Sequence, residues 1–497
     1  MISRLFSALL LSGSCVIPFA GAQNPPVAQP SGSVLDRIVS AAEPGHGAFT
    51  VEQIATMNRL RDEALRDPFA YDRLSYLTDT IGPRLSGSTQ ASAAVEWVAA
   101  QMRALGADVM LEKTAVPHWV RGEETAFLTD WPNKVSGATQ KIVLTALGNS
   151  VATAPSGVSA AVIVVHSFAE LRALPAGAVK GKIVLFDVSF DKAMTAQGQG
   201  IQAYLQTAPY RVVGPSVAAK LGAIAVLVRS LGSADLRTAH TGTLLYTEGV
   251  EKIPAAAVTA EDADLLARLA RQGPITIHLT LTPQTLPLET SYNVIADWKG
   301  SENPEQMVIV SGHLDSWDLG TGATDDGAGI VTAMQTIQLL QALNIHPRRT
   351  IRFIAWMNEE FGASGAATYG KEHSVEFGNH VAAMESDLGC DHPTGLYLSD
   401  PALEAFLAPV ADALKPIGAG SLTTISELPS EDLAPMIAAG VPSLAPIQDL
   451  RSYFNYHHTA ADTLDKVDRQ HLQENAAVIA VTAYAFADAS KPAPRSK

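Results

Sequence analysis

Met307-Val308-Ile309-Val310-Ser311-Gly312-His313-Leu314-Asp315-Ser316 decides the reading of this 497-residue chain. The stretch from Met307 to Val310 is apolar without alternation, which suits a strand buried on both faces of a mostly parallel sheet. It then breaks at once into a glycine, a histidine and an aspartate. Working outward, Ile351-Arg352-Phe353-Ile354-Ala355-Trp356 reads as a second strand running into Asn358-Glu359-Glu360, and Val381-Ala382-Ala383-Met384 as a third running into Glu385-Ser386-Asp387. Tyr292 to Trp298 is a further strand upstream. Between the first two, Ile330, Ala333, Met334, Ile337 and Leu340 recur with helical spacing. This alternation predicts an α/β fold, a mostly parallel mixed sheet flanked by helices.

Active sites of open α/β sheets gather at the carboxyl ends of the strands, and the polar residues fall there. A glycine-rich acidic turn, Gly322-Ala323-Thr324-Asp325-Asp326-Gly327-Ala328-Gly329, enters the helix, and Tyr456-His457-His458-Thr459 comes late in the chain. Several carboxylates brought to neighbouring strand ends repel one another unless something neutralises them. These loops hold no matching cluster of Lys or Arg. A divalent metal is the simplest compensator. Mixed histidine and carboxylate donors favour zinc, with manganese or cobalt as substitutes, and one carboxylate can bridge two ions. His313 can ligate through one ring nitrogen while Asp315 fixes the other. In the Glu359-Glu360 pair, one carboxylate can bind metal while its neighbour moves protons. Each part alone has a bland reading. Asp325-Asp326-Gly327 could be a turn with a helix cap, and a lone histidine such as His118, His373 or His471 is ordinarily a surface or satisfied core residue. The signal is the joint order and placement.

The rest of the chain frames this core. Thr50 opens a helix with Gln53 placed for a capping box, and Ala94, Val95, Val98, Met102 and Leu105 form another that stops at Gly106. Residues 81–88 are a turn-rich loop. From about 125 to 285, short β-branched runs alternate with Gly and Pro, which predicts a compact β-rich unit with a few helices and no catalytic chemistry of its own.

Composition excludes some classes. Hydrophobic residues make up 47% of the chain and charged residues 17%, as in a globular protein. A net charge of -15 repels nucleic-acid phosphates and anionic membranes. Residues 1–22 read as a signal peptide: Arg4 precedes an apolar core, and Ala20-Gly21-Ala22 offers a cleavage site before Gln23. The apolar run is shorter than the roughly 20 residues of a spanning helix. The expectation is therefore an exported, periplasmic or secreted protein with no membrane span. Residues 23–47 read as a flexible leader. With Cys15 removed, Cys390 is the only cysteine, so no intramolecular disulfide can form.

Taken together, Gly312 to Ser316, Asp325 to Gly329, Asn358-Glu359-Glu360-Phe361-Gly362, Glu385 to Gly389 and His457-His458-Thr459 with Asp462-Thr463 resemble the co-catalytic di-zinc aminopeptidase family, and within it the carboxypeptidase Q-like peptidases. The resemblance implies a zinc exopeptidase fold: peptidase segments at 48–124 and 286–490, and a protease-associated domain inserted at 125–285. It implies two zinc ions, with Asp325 bridging them across a cis bond to Asp326, His313 and Asp387 on one, and Glu360 and His458 on the other. His458 is preferred to His457 because the family ligand directly precedes Thr or Ser. Glu359 matches the general base and Asp315 the partner of His313. A peptide substrate and a homodimer are implied as well. Aminopeptidase and dipeptidase remain alternatives, as do a one-zinc cyclase of N-terminal glutamine on the same fold and a non-catalytic relative.

Overall fold

The computed structural model describes residues 48–495. The readings of residues 1–47, signal peptide and leader, lie outside them. Among the described residues no helix is long and apolar enough to cross a membrane.

Two eight-stranded sheets organise the described residues. The first runs Asp108–Val120, Gln284–Trp298, Arg349–Trp356, Asn303–His313, His380–Glu385, Ser443–Gln448, Pro393–Leu398 and Ser421–Thr424 in spatial order. Its four central strands, from Arg349–Trp356 to Ser443–Gln448, are mutually parallel, and the flanking pairs are mixed. The unbroken apolar runs follow from cover on both faces. Val308 and Val310 enter a core shared with Val98, Ile330, Ile337 and Val481. Met307 and Ile309, one step out of phase, enter a second core with Trp356, Tyr369 and Met436 on the opposite face. Helices Val51–Ala64, Thr89–Ala104, Ala328–Ala342 and Arg469–Asp488 supply the first cover. The Thr50–Gln53 capping box is formed, each side chain accepting from the other's backbone N–H. The strand Gln284–Trp298 is longer than its apolar core, because its first half leaves the body of the sheet and pairs with Asp108–Val120 as a ribbon.

The second sheet lies between these strands in sequence, from Glu124–Asp130 to Thr276–Leu281. Val158–Val165, Ile183–Phe186, Ala225–Arg229 and Ala255–Val258 are parallel within it. Helix Gly200–Val212 extends from this unit onto the first sheet's loops. A Cβ on Gly200 would stand 2.7 Å from Cδ2 of Phe454, so the close approach needs glycine. Cys390 is a free, buried thiol, which burial keeps protonated by raising it well above its ordinary value.

Candidate metal centre

The four parallel strands end side by side and release their chains into polar loops. Asn303–His313 ends on His313 itself. Arg349–Trp356 leads to Glu359 and Glu360, His380–Glu385 to Asp387, and Ser443–Gln448 to the segment carrying His458. Asp325 arrives from the turn before helix Ala328–Ala342, and the Asp325–Asp326 peptide is cis, as the resemblance implies. Asn358 and His458 hold left-handed backbone angles, φ 74° and 61°, uncommon for non-glycine residues and typical of places where side chains are aimed by a rigid frame.

The side chains meet in two halves. His313 Nε2 lies 3.2 Å from Asp325 Oδ1 and 3.0 Å from Asp387 Oδ1. His458 Nε2 lies 3.2 Å from Asp325 Oδ2 and 3.1 Å from Glu360 Oε2. Asp325 thus turns a different oxygen to each half. His457 Nε2 is 3.6 Å from Asp325 Oδ2, and its ring stacks on that of His458. Of the two histidines, His458 is the one within ion-pair distance of Glu360.

The donor set fits a metal. Asp325 Oδ2 and Glu360 Oε1 are buried without a hydrogen-bond partner. Among the described residues no Lys or Arg pairs with Asp325, Glu360 or Asp387; their close partners are histidines. Burial pushes Glu359 well above the usual carboxylate range and Glu360 to about 7. Burial would lower both histidines, but Asp387 and Asp325 carry His313 well above its ordinary value, and Glu360 and Asp325 bring His458 to about 9. A compact group of buried and half-buried acids whose close partners among the described residues are histidines suits a bound cation.

Asp315 meets His313 differently from the sequence expectation. His313 Nδ1 contacts the main-chain carbonyl of Asp315 at 2.9 Å, not its carboxylate. The carboxylate instead accepts from the backbone N–H groups of Asn358 at 2.6 Å and Glu359 at 3.1 Å, and from Ser86 Oγ. One residue therefore fixes the imidazole with its backbone and the Glu359 loop with its side chain.

Other residues escaped the sequence reading. Asp462 accepts from the N–H groups of Thr324 and Asp325 and so sets the bridging turn. Asp326 accepts from the N–H groups of His313 and Gly329. Arg84 is fully buried and donates to the carbonyls of Gly82, Leu314, Thr321 and Gly322, with burial lowering its guanidinium to about 10. The turn-rich loop at 81–88 and the Asp462-Thr463 pair were visible in sequence, but nothing there showed what they hold. The second-sheet unit also reaches the site. Arg211 Nη1 lies 3.5 Å from His458 Nδ1, Thr241 N–H donates to the His458 carbonyl at 2.9 Å, and Tyr204 meets His457 edge to face. This unit, in which no group of potential metal ligands is found among the described residues, thus backs one half of the centre.

Comparison with known proteins gives the family and the fold. The model of "Peptidase family M28" matches residues 293–483. Human carboxypeptidase Q is 38% identical over 430 residues, covering 86% of this chain and 87% of that protein. The chain belongs to peptidase family M28. As an M28 peptidase it is a metallopeptidase. The crystal structure of a peptidase M28 precursor from Shewanella amazonensis SB2B superposes with a TM-score of 0.83 at 36% identity, covering 90% of this chain and 99% of that one. A zinc aminopeptidase from Bacillus subtilis shares the fold, with a TM-score of 0.61 at 22% identity over 86% of this chain and 96% of that one.

Proposed function

We propose that this M28 peptidase is a two-zinc exopeptidase of the carboxypeptidase Q type, hydrolysing dipeptides and short peptides. The observation that carries the reading is Asp325, whose two oxygens face separate histidine–carboxylate pairs. His313 and Asp387 would hold one ion, His458 and Glu360 the other, with Asp325 common to both. Zinc, when bound, supplies Lewis-acid polarisation of the scissile carbonyl and acidifies water.

The chain's own residues do the rest. Glu359 is half-buried beside the centre, and loss of solvent together with the nearby carboxylates raises it above the ordinary carboxylate range, which suits a base that must later act as an acid. It accepts a proton from the attacking water as the C–O bond forms at the scissile carbonyl carbon. It returns that proton to the departing amine nitrogen as the C–N bond breaks. Asp315 keeps Glu359 in place through the backbone bonds to its loop, and its carbonyl orients His313. Trp317, Gly320, Asp325, His458 and Thr459 line a small cavity at the centre, and the helix Gly200–Val212 packs against the neighbouring Phe454.

Likeness to carboxypeptidase Q over 86% of the chain supports the dipeptidase reading over the aminopeptidase one. Free dipeptides, N-blocked dipeptides, dipeptide amides and longer peptides separate them. We expect kcat/KM highest for free dipeptides and activity lost on chelation. Equal cleavage of long peptides from the amino end would favour an aminopeptidase. In the same reading, the second-sheet unit is a protease-associated domain, residues 1–22 direct export to the periplasm or medium, and the enzyme is a homodimer, which light scattering checks.

A further inference from the structure

Away from the strand ends, a second group of metal-ligating side chains converges where the loop after strand His380–Glu385 meets the first turns of helix Arg469–Asp488. One ligand atom each from His392, His471 and Glu474 lies within 4.8 Å of the others. The tightest pair is His392 Nδ1 and Glu474 Oε2 at 2.7 Å. His471 Nδ1 is buried with no hydrogen-bond partner and lies 3.8 Å from Asp391 Oδ1.

Local structure explains the convergence. His471 and Glu474 stand three residues apart on a helix and so share a face. The turn that carries them is pinned at its start, because Asp468 accepts from the N–H groups of Gln470 and His471. Asn475 then donates to the carbonyls of Asp391 and His471, locking the His392 loop onto the helix. Gln470 holds the other Glu474 oxygen at 2.9 Å. Glu474 is 6% exposed, whereas His392 and His471 are 41% and 35% exposed, so the group is anchored from below and open to solvent above.

An ordinary ion pair accounts for His392 and Glu474. It leaves His471 unexplained, because that ring brings a ligand atom within 4.8 Å of both, while its buried Nδ1 has no hydrogen-bond partner. Two imidazoles and a carboxylate, with Asp391 alongside, form a donor set for zinc and its borderline neighbours; calcium and magnesium want oxygen ligands. A histidine and a glutamate three residues apart on one helix turn, completed from another element, share the i, i+3 spacing with which helical proteins build metal sites, here in the reverse order to the Glu-x-x-His step. We propose that His392, His471 and Glu474 bind a divalent transition-metal ion of the zinc class, separate from the strand-end centre. The ion ties the loop that carries Asp387 to helix Arg469–Asp488.

The test compares metal content. Wild-type protein and the His392→Ala/His471→Ala variant are dialysed against zinc, desalted, and measured by mass spectrometry of the metal per chain. The variant should hold one ion fewer, with kcat on a dipeptide within about twofold of wild type, since neither residue belongs to the catalytic machinery. Equal metal content in the two proteins would overturn the proposal. If the double variant fails to fold, His392→Gln, on an exposed side chain, gives the same comparison, and an unchanged count there overturns it equally. Because only the difference is read, the result does not depend on whether the strand-end centre holds two ions.

Discussion

The two sheets of this protein are built alike and balanced differently. Each has four parallel, buried strands at its centre, and each places acidic residues just past strand ends. In the second sheet, Asp187 follows Ile183–Phe186 and meets Arg229 at 2.9 Å, and Asp264 joins the same guanidinium at 2.5 Å. Those charges are settled within the protein. In the first sheet, Asp325, Glu360 and Asp387 find only histidines among the described residues. Architecture does not make the site; the uncompensated charge does.

Breaking the active side of this comparison gives the largest effect. Glu359→Gln removes the proton carrier without touching a proposed ligand, so kcat should fall about 10³-fold while metal content and Tm stay near wild type. Retained turnover in steady-state assays would contradict the base assignment. Next comes Asp315→Ala, which frees the Glu359 loop and leaves the backbone contact to His313. We expect kcat lowered about 10- to 100-fold with bound metal largely kept; a change in KM alone would count against the positioning role.

The second sheet sharpens the contrast from the other side. Arg229→Met strands Asp187 and Asp264 and should cost about 2 kcal/mol of stability, measured by denaturant unfolding. The folded variant should keep wild-type kcat, and a matching loss of kcat would show that this charge balance serves chemistry after all. The smallest effect concerns a settled pair within the first sheet. Asp297 accepts from Arg352 Nε at 2.7 Å. Burial raises this carboxyl, but Arg352 outweighs it and holds the group below its ordinary value. A carboxyl lowered on folding stabilises above its unfolded pKa and loses that contribution as pH falls through the folded one. The stability gap between wild type and Asp297→Asn should therefore be widest near pH 7 and narrow below about pH 4. A pH-independent gap would exclude the charge pair as its source.

Sequence made the active side of this contrast readable because strand ends announce themselves. A run such as Met307 to Val310 can only be covered on both faces, and the polar residues next in the chain must emerge at the sheet's edge. His313, Glu359, Glu360 and Asp387 are all legible in that way. Residues that act across the fold are not. Nothing in the spacing ties Arg211 or Thr241 to His458, because the second sheet has to fold and dock before they meet. Arg84 and Asp462 work by holding backbone groups, which leave no trace in residue type. His471 reads as an ordinary lone histidine until His392 and Glu474 are brought beside it. Asp315 was legible as a partner of His313, but which of its atoms makes the contact was not.

Anomalous scattering at the zinc edge from crystals of the zinc-loaded enzyme tests the central claim most directly. The account predicts two peaks flanking the Asp325 carboxylate, one beside His313 and Asp387 and one beside His458 and Glu360. A single peak there, or none in a crystal of active enzyme, would contradict it.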